Sequence, residues 1–361
     1  MSAQSNVFNV LDFGAVADGA TDSTAGFQKA LNEAATVSGA VIVPPGIYMC
    51  NKLTMHSGVS IQGYPSWNYR AKAAGSVIQL LSADNECLLD ITRAYGATIQ
   101  GLVLDGRSLG ENVHGVLINK DNFGDQEDTP LIDGCQIGCF SGDGIRFNKI
   151  WCYSIRHSMI HRNKGHGFHF TGWDGFIMDC WFSGNKGYGI MAGGPEDENS
   201  SVTATANRIE WNRGGIRIMN GSHWNITGNY IDRSGGPGIH ISGGKRKSHT
   251  IVMTGNIIYR SGAYMGKWPA DMGEYENSQV FLDDCENIVC TSNTMRVGRD
   301  DNNRGIYSPW YGIVVSKLEN SIIRDNTGQS GCLREFLVNL GGHGERVIIA
   351  DNPGSAMRTE A

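Results

Sequence analysis

From about residue 100 the chain alternates short apolar runs with glycine and asparagine at a period of roughly 22 residues, the size of one coil in a stacked repeat. One half of the unit reads Asn-x-Ile-x: NRIE at 207, NYID at 229, NIIY at 256 and NTMR at 293. The other half reads glycine, apolar, variable, apolar. It appears as GVLI at 115, GIRF at 144, GFHF at 167, GIRI at 215, GIHI at 238 and GIVV at 312. GIMA at 189 is a looser copy, and QVFL at 279 keeps the strand without the glycine. Both halves carry the period-2 alternation of half-buried strands. Short strands, Gly or Asn corners and no helical periodicity beyond residue 36 predict an all-β, single-stranded parallel β-helix. Asn207, Asn229, Asn256 and Asn293 should stack as a ladder at one bend, a structural role.

The beginning differs. Residues 12–35, DFGAVADGATDSTAGFQKALNEAA, predict a loop and one amphipathic helix, with Asp22 or Ser23 placed to cap it and Phe27, Ala30 and Leu31 on its apolar face. Such a helix would cover the open edge of the first coil. VIVPPGIYM then reads as strand, proline turn, strand. DFGAVADGATDST, FQKAL and VIVPPGIYM together resemble the start of the pectate-lyase-like right-handed β-helix superfamily, which includes polygalacturonases, mannuronan epimerases and tailspike depolymerases. With the repeats, the resemblance covers nearly the whole chain. It implies a single β-helix domain over 1–361: cap and first strands to 60, coils over 61–352 and a tail over 353–361. A fold does not name a reaction, so function is argued from the site.

In the Gly-Ile-x-Ile strand the apolar pair points inward and x points out. Coils stack about 4.8 Å apart, so the x positions form a column: Leu117, Arg146, His169, Met191, Arg217, His240, Phe281 and Val314. The next outward position gives Asn148, Thr171, Gly193, Met219, Ser242, Asp283 and Ser316. A solvated face draws mostly Thr, Ser, Asn and Lys; two arginines and two histidines in mid-column are a biased set. Two neighbouring coils also carry long excursions, 261–278 and 297–312, holding Tyr264, Trp268, Tyr275, Tyr307, Trp310 and Tyr311. Long loops on a compact scaffold are commonly functional, and aromatic rings suit the apolar faces of sugars. Trp173, in FTGW, joins the binding candidates. The superfamily resemblance places a carbohydrate groove on this strand face.

Composition narrows the partners. The net charge is −6, and no run of like charge exceeds Lys245-Arg246-Lys247, which argues against nucleic acid and anionic membranes. Nine scattered cysteines without CxxC or zinc-ligand spacing read as reduced core residues. The first residues lack a secretory pattern, so a cytoplasmic location is expected. A homotrimer is a further expectation.

A polygalacturonase-like hydrolase needs clustered carboxylates, one to protonate the leaving oxygen and one to activate water. Gly165-His166-Gly167 matches one tripeptide of that family, yet its Asn-Thr-Asp, Asp-Asp and Arg-Ile-Lys companions are missing, and Gly342-His343-Gly344 repeats it out of context. The tripeptide therefore reads as chance. Glu210 and Asp232 occupy matching positions of adjacent coils, but on the preceding strand. The loop over 120–130 is acidic without calcium-ligand spacing and reads as solvated; no metal or cofactor is expected. Elimination needs a base for the proton α to a carboxylate and cations to stabilise the enolate. His169, or His240, flanked by Arg146 and Arg217, meets that demand, with Asp283 the column carboxylate able to assist. A weaker resemblance to inulin fructotransferases, through FTGW and FLDDCENIVCTSN, aligns that family's catalytic Asp and Glu with His157 and His169. The expectation is an enzyme that cleaves or rearranges glycosidic bonds, by elimination ahead of hydrolysis or intramolecular transfer. The competing expectation is a non-catalytic glycan-binding or tailspike-like module.

Overall fold

The computed structural model describes residues 6–69, 74–262, 272–298 and 308–357. The strands are parallel wherever their register is defined among the described residues, as a β-helix requires. They fall into two compact units. One comprises the residues up to Phe170 with Asp174–Phe176, the other Thr171–Trp173 and the residues from Ile177 onward.

The first unit opens with helix α1 (Thr24–Ala35), its face of Phe27, Ala30, Leu31 and Ala34 fully buried. Asp22 supplies the capping bond, its carboxylate accepting the Thr24 amide at 2.9 Å, while the Ser23 hydroxyl turns away to Val16. The helix also shields a strand edge: the Gln28 amide side chain both donates to and accepts from the Thr54 backbone, at 3.0 Å each. Further on, the inward residues are aromatic. Phe168 stacks on Phe170 at 4.8 Å and meets Phe147 edge-on at 5.5 Å. Glycine recurs at the strand entry because the coils touch there. A Cβ on Gly144 would sit 2.6 Å from Asn163 Nδ2 and 2.9 Å from the Gly167 carbonyl oxygen.

In the second unit the column keeps its predicted register: Met191, Arg217, His240, Phe281 and Val314 are successive partners. The asparagine ladder is present and longer than predicted. Asn207 donates to Asn229, Asn229 to Asn256, Asn256 to Asn293, Asn293 to Asn326 and Asn326 to Asn352, at 2.8–3.0 Å. Each Oδ1 also takes the backbone N–H of the preceding asparagine. All nine cysteines are free thiols, and seven are buried. No described helix is long and apolar enough to cross a membrane.

Candidate functional site

Three successive coils of the first unit converge on Asp143. The strands His114–Asn119, Ile145–Arg156 and Phe168–Met178 bring Arg146 and His169 from the x column. The residues just before the repeat glycines, His114, Asp143 and His166, arrive beside them. Strict alternation assigns those three positions to the inside, so the outward column omits them, and His166 enters only within Gly165-His166-Gly167, set aside as chance.

Asp143 is buried, and its Oδ1 accepts the His166 backbone N–H at 2.6 Å. Its Oδ2 lies 3.5 Å from His169 Nδ1, 3.6 Å from Arg146 Nη1 and 3.8 Å from His114 Nδ1. Burial pushes this carboxyl up, but the hydrogen bond to His169 and the fields of His166 and His169 outweigh it and hold it at about 2. Gly165 makes room for this, since a Cβ there would lie 2.3 Å from Asp143 Oδ1. The glycine of Gly165-His166-Gly167 thus has a local reason to be present, and His166 packs edge-on against His169 with ring centroids 4.8 Å apart. The tripeptide dismissed from sequence contributes to the cluster, in company quite different from a polygalacturonase set.

Arg146 contacts the His169 ring through Nη1, 3.2 Å from Nε2 and closer to Nδ1, while its Nε donates to Asn148 Oδ1 at 3.0 Å. Asn148 donates in turn to Asn119 at 3.1 Å. His114 Nδ1 accepts the Asp143 backbone N–H at 2.9 Å, which leaves the proton of the neutral ring on Nε2. Burial pulls His114 below the usual histidine range despite Asp143, and the Arg146 guanidinium adds to the effect. Next to this cluster lies a depression of about 340 Å³, lined by Glu86, Asn112, His114, Asn119, Arg146 and Asn148 among others. Asp143, His166 and His169 each offer one ligand atom, all within 4.8 Å of one another, so a divalent cation would find three donors. Arg146 already supplies positive charge at that place.

The second-unit candidates are differently disposed. Arg217 is buried, and its guanidinium donates to the Ile218 carbonyl at 2.7 Å and to Ser242 Oγ at 2.7 Å. His240 is buried and stacked on Phe281 at 4.9 Å, and burial, followed by Arg217, depresses its pKa strongly. Asp283 is half-buried with Lys317 Nζ at 3.6 Å. Tyr311 donates its hydroxyl to Glu274 at 2.9 Å and lies 5.7 Å from the Tyr275 ring; Trp310 carries the Arg334 guanidinium on its face. Trp173 is half-buried. Trp268, Tyr307 and Tyr264 lie outside the described residues. Glu210 and Asp232 are in register, as the coil spacing predicts, but both are buried on strands Arg208–Glu210 and Tyr230–Asp232, outside the sheet that carries the column, and engaged. Trp181 and Arg208 bond Glu210, and Arg260 and Arg233 bond Asp232. Asp128, read from sequence as solvated, is buried in an ion pair with Lys120 at 2.6 Å. In the first unit, His157 pairs with Asp133 at 2.7 Å.

Comparison with known proteins gives this geometry its context. A right-handed β-helix family model matches residues 197–352. Mannuronan C5-epimerase AlgE5 of Azotobacter vinelandii is 27% identical over 281 residues, 71% of this chain; the chain spans about a quarter of that relative, 24% of its length. The A-module of mannuronan C-5 epimerase AlgE4, also from Azotobacter vinelandii, superposes with a TM-score of 0.62 at 17% identity, over 97% of this chain and 100% of the module. DFA-IIIase of Arthrobacter chlorophenolicus, solved in complex with GF2, superposes with a TM-score of 0.65 at 13% identity, over 95% of this chain and 87% of that one. These two structural likenesses are of fold. A rhamnogalacturonase A/epimerase, pectate lyase-like family model matches residues 7–240, nearly two thirds of the sequence, and the chain belongs to that family.

Proposed function

We propose that this protein is a carbohydrate-active enzyme working on a uronate-containing poly- or oligosaccharide, with His169 as the base that removes the proton α to the uronate carboxylate. The observation that carries this reading is an imidazole held between the Asp143 carboxylate and the Arg146 guanidinium, close to a polar depression lined by Asn112, Asn119 and Asn148 together with Glu86, His114 and Arg146. In elimination the C5–H bond breaks, its electron pair forms the C4=C5 double bond, and the C4–O4 bond breaks. The proton passes through His169 to the departing O4. Arg146 meets the substrate carboxylate as charge develops on it. Asp143, ionised throughout, orients His169 and stabilises its protonated form.

Hydrolysis by a carboxylate pair fits less well. A carboxyl held at about 2 protonates no leaving group at neutral pH, and Glu86 is paired with Lys52 at 2.9 Å. The relatives named mannuronan C5-epimerase support a uronate, because inverting C5 also requires breaking its C–H bond.

The test is incubation with mannuronan, polygalacturonate and neutral glycans in deuterated water. Unsaturated uronate absorbance reports elimination, and deuterium at C5 of a saturated product reports proton abstraction followed by reprotonation, as in epimerisation. His169→Ala should lower the rate by about 10²–10⁴-fold. Wild-type turnover by that variant, or new reducing ends without unsaturation, would sink the assignment. Binding without any product would favour a glycan-binding module.

A further inference from the structure

Elimination at His169 leaves one imidazole of the cluster unused. His114 stands one coil before Asp143, on the strand whose Leu117 and Asn119 are in register with Arg146 and Asn148. Its ring is fixed. Nδ1 accepts the Asp143 backbone N–H at 2.9 Å, and Gly142 makes room for the ring, since a Cβ there would lie 2.8 Å from Nδ1 and 2.9 Å from Cε1. The side chain is only 12% exposed. The single hydrogen of the neutral ring is on Nε2, which has no partner among the described residues and is not one of their sealed polar atoms. The ring also lines the polar depression of about 340 Å³, together with Leu117, Asp143 and Arg146. Burial holds His114 below the usual histidine range, so it stays neutral at neutral pH. A ring locked in one tautomer, with a free N–H at a depression, is a preorganised donor.

We infer that His114 is a further catalytic residue, a hydrogen-bond donor to O4, the oxygen that departs from C4 in the elimination. This rests on the reading of His169 as the base. With the uronate carboxylate on Arg146 and its C5–H at His169, the sugar joined through O4 occupies the depression one coil away, about 4.8 Å along the helix. The Asn119 and Asn148 amides, which line that depression, meet its hydroxyls. O4 joins the two rings and so lies between His169 and His114. The C5 proton goes to His169, the C5–H electron pair forms C4=C5, and the C4–O4 pair leaves with O4, which takes the proton from His169. His114 keeps its own proton throughout and stabilises the charge on O4 until that proton arrives.

The test follows unsaturated product from mannuronan and polygalacturonate with the full chain. His114→Asn keeps an oxygen for the Asp143 amide and loses the donor at the ε position; His114→Gln keeps an N–H there and loses that acceptor. Elimination should fall about 10²-fold in His114→Asn and less in His114→Gln. A histidine that only supports Asp143 gives the opposite order, which overturns the inference, as does wild-type elimination by His114→Asn. A uronate carrying a 4-nitrophenyl ether at C4 needs little help to depart, so it should recover most of the rate lost in His114→Asn. An equal deficit on both kinds of substrate overturns the inference. If neither variant folds, nitrogen NMR of histidine-labelled His169→Ala with a mannuronan or polygalacturonate oligomer decides. The His114 proton should be on Nε2 and its signal should move on binding; a proton on Nδ1, or an unmoved signal, overturns the inference. Deuterium at C5 of a saturated product without any unsaturation keeps His169 as the base and overturns the role of His114 alone, because O4 then never departs. No reaction at C5 overturns both.

Discussion

Replacing Asp143 with asparagine removes one charge and keeps an oxygen for the His166 amide. The native carboxyl titrates at about 2 in place of the ordinary 3.8. At about 1.4 kcal/mol per pH unit, that difference is worth about 2 kcal/mol of stability. The side chain is 7% exposed, so solvent screening takes little away. The sign follows from the direction: a depressed carboxyl stabilises fully above its unfolded value, and the contribution is lost as pH falls through the folded one. Asp143→Asn should therefore be about 2 kcal/mol less stable at pH 5, and the gap should narrow to about 1 kcal/mol at pH 3. Urea midpoints followed by tryptophan fluorescence, converted with the measured slopes, read this directly. Equal midpoints at pH 5, or a gap that stays constant down to pH 3, would refute the electrostatic account of the cluster.

Gly165→Ala should cost about 1–3 kcal/mol by pushing its new Cβ into the Asp143 carboxylate. Because the two positions touch, a double-mutant cycle with Asp143→Ala, which removes the oxygen the new Cβ would meet, should show a coupling of at least about 0.5 kcal/mol; simple additivity would contradict the contact. His240→Phe removes a buried nitrogen that has no partner among the described residues and keeps the ring on Phe281, so stability should hold or rise by about 1 kcal/mol. Turnover should persist in this variant, and a folded but inactive protein would return His240 to the reaction. Asn256→Ala breaks the ladder and should cost about 1–3 kcal/mol in denaturant, while Asn225→Ala on the exposed side of the same repeat should stay within about 0.5 kcal/mol. Equal effects at the two sites would count against the ladder.

The coil pattern was legible because each repeat obeys one local rule: apolar residues alternate along the strand and asparagine stands at the corner. Helix α1 was legible from its spacing, down to the buried Phe27, Ala30 and Leu31. The same rule identified the column and its register, and it drew notice to Arg146 and His169. It could not show which column members are covered. Arg217 and His240 hold the predicted register yet are buried among their own neighbours, a tertiary fact with no sequence period. The rule also misassigned the residues before the glycines. His114, Asp143 and His166 recur at that one offset, in consecutive coils, and reading that offset as a second column would have found them. Asp128 escaped for another reason: its partner Lys120 lies at the far end of the same loop, and only folding reveals that the pair is buried.

The ladder has a direction. Each asparagine gives its hydrogens to the carbonyl of the one that follows it in sequence, from Asn207 through to Asn352. A corner formed during synthesis therefore stays open until the next coil has emerged, so the second unit is completed vectorially, one closure per coil. Truncation within this run leaves the same single defect wherever the chain is cut, a side-chain N–H and a backbone N–H that share one missing acceptor. Shortened chains should thus lose stability by a nearly constant end penalty plus the coils removed, and appending one asparagine-bearing coil should repair the end.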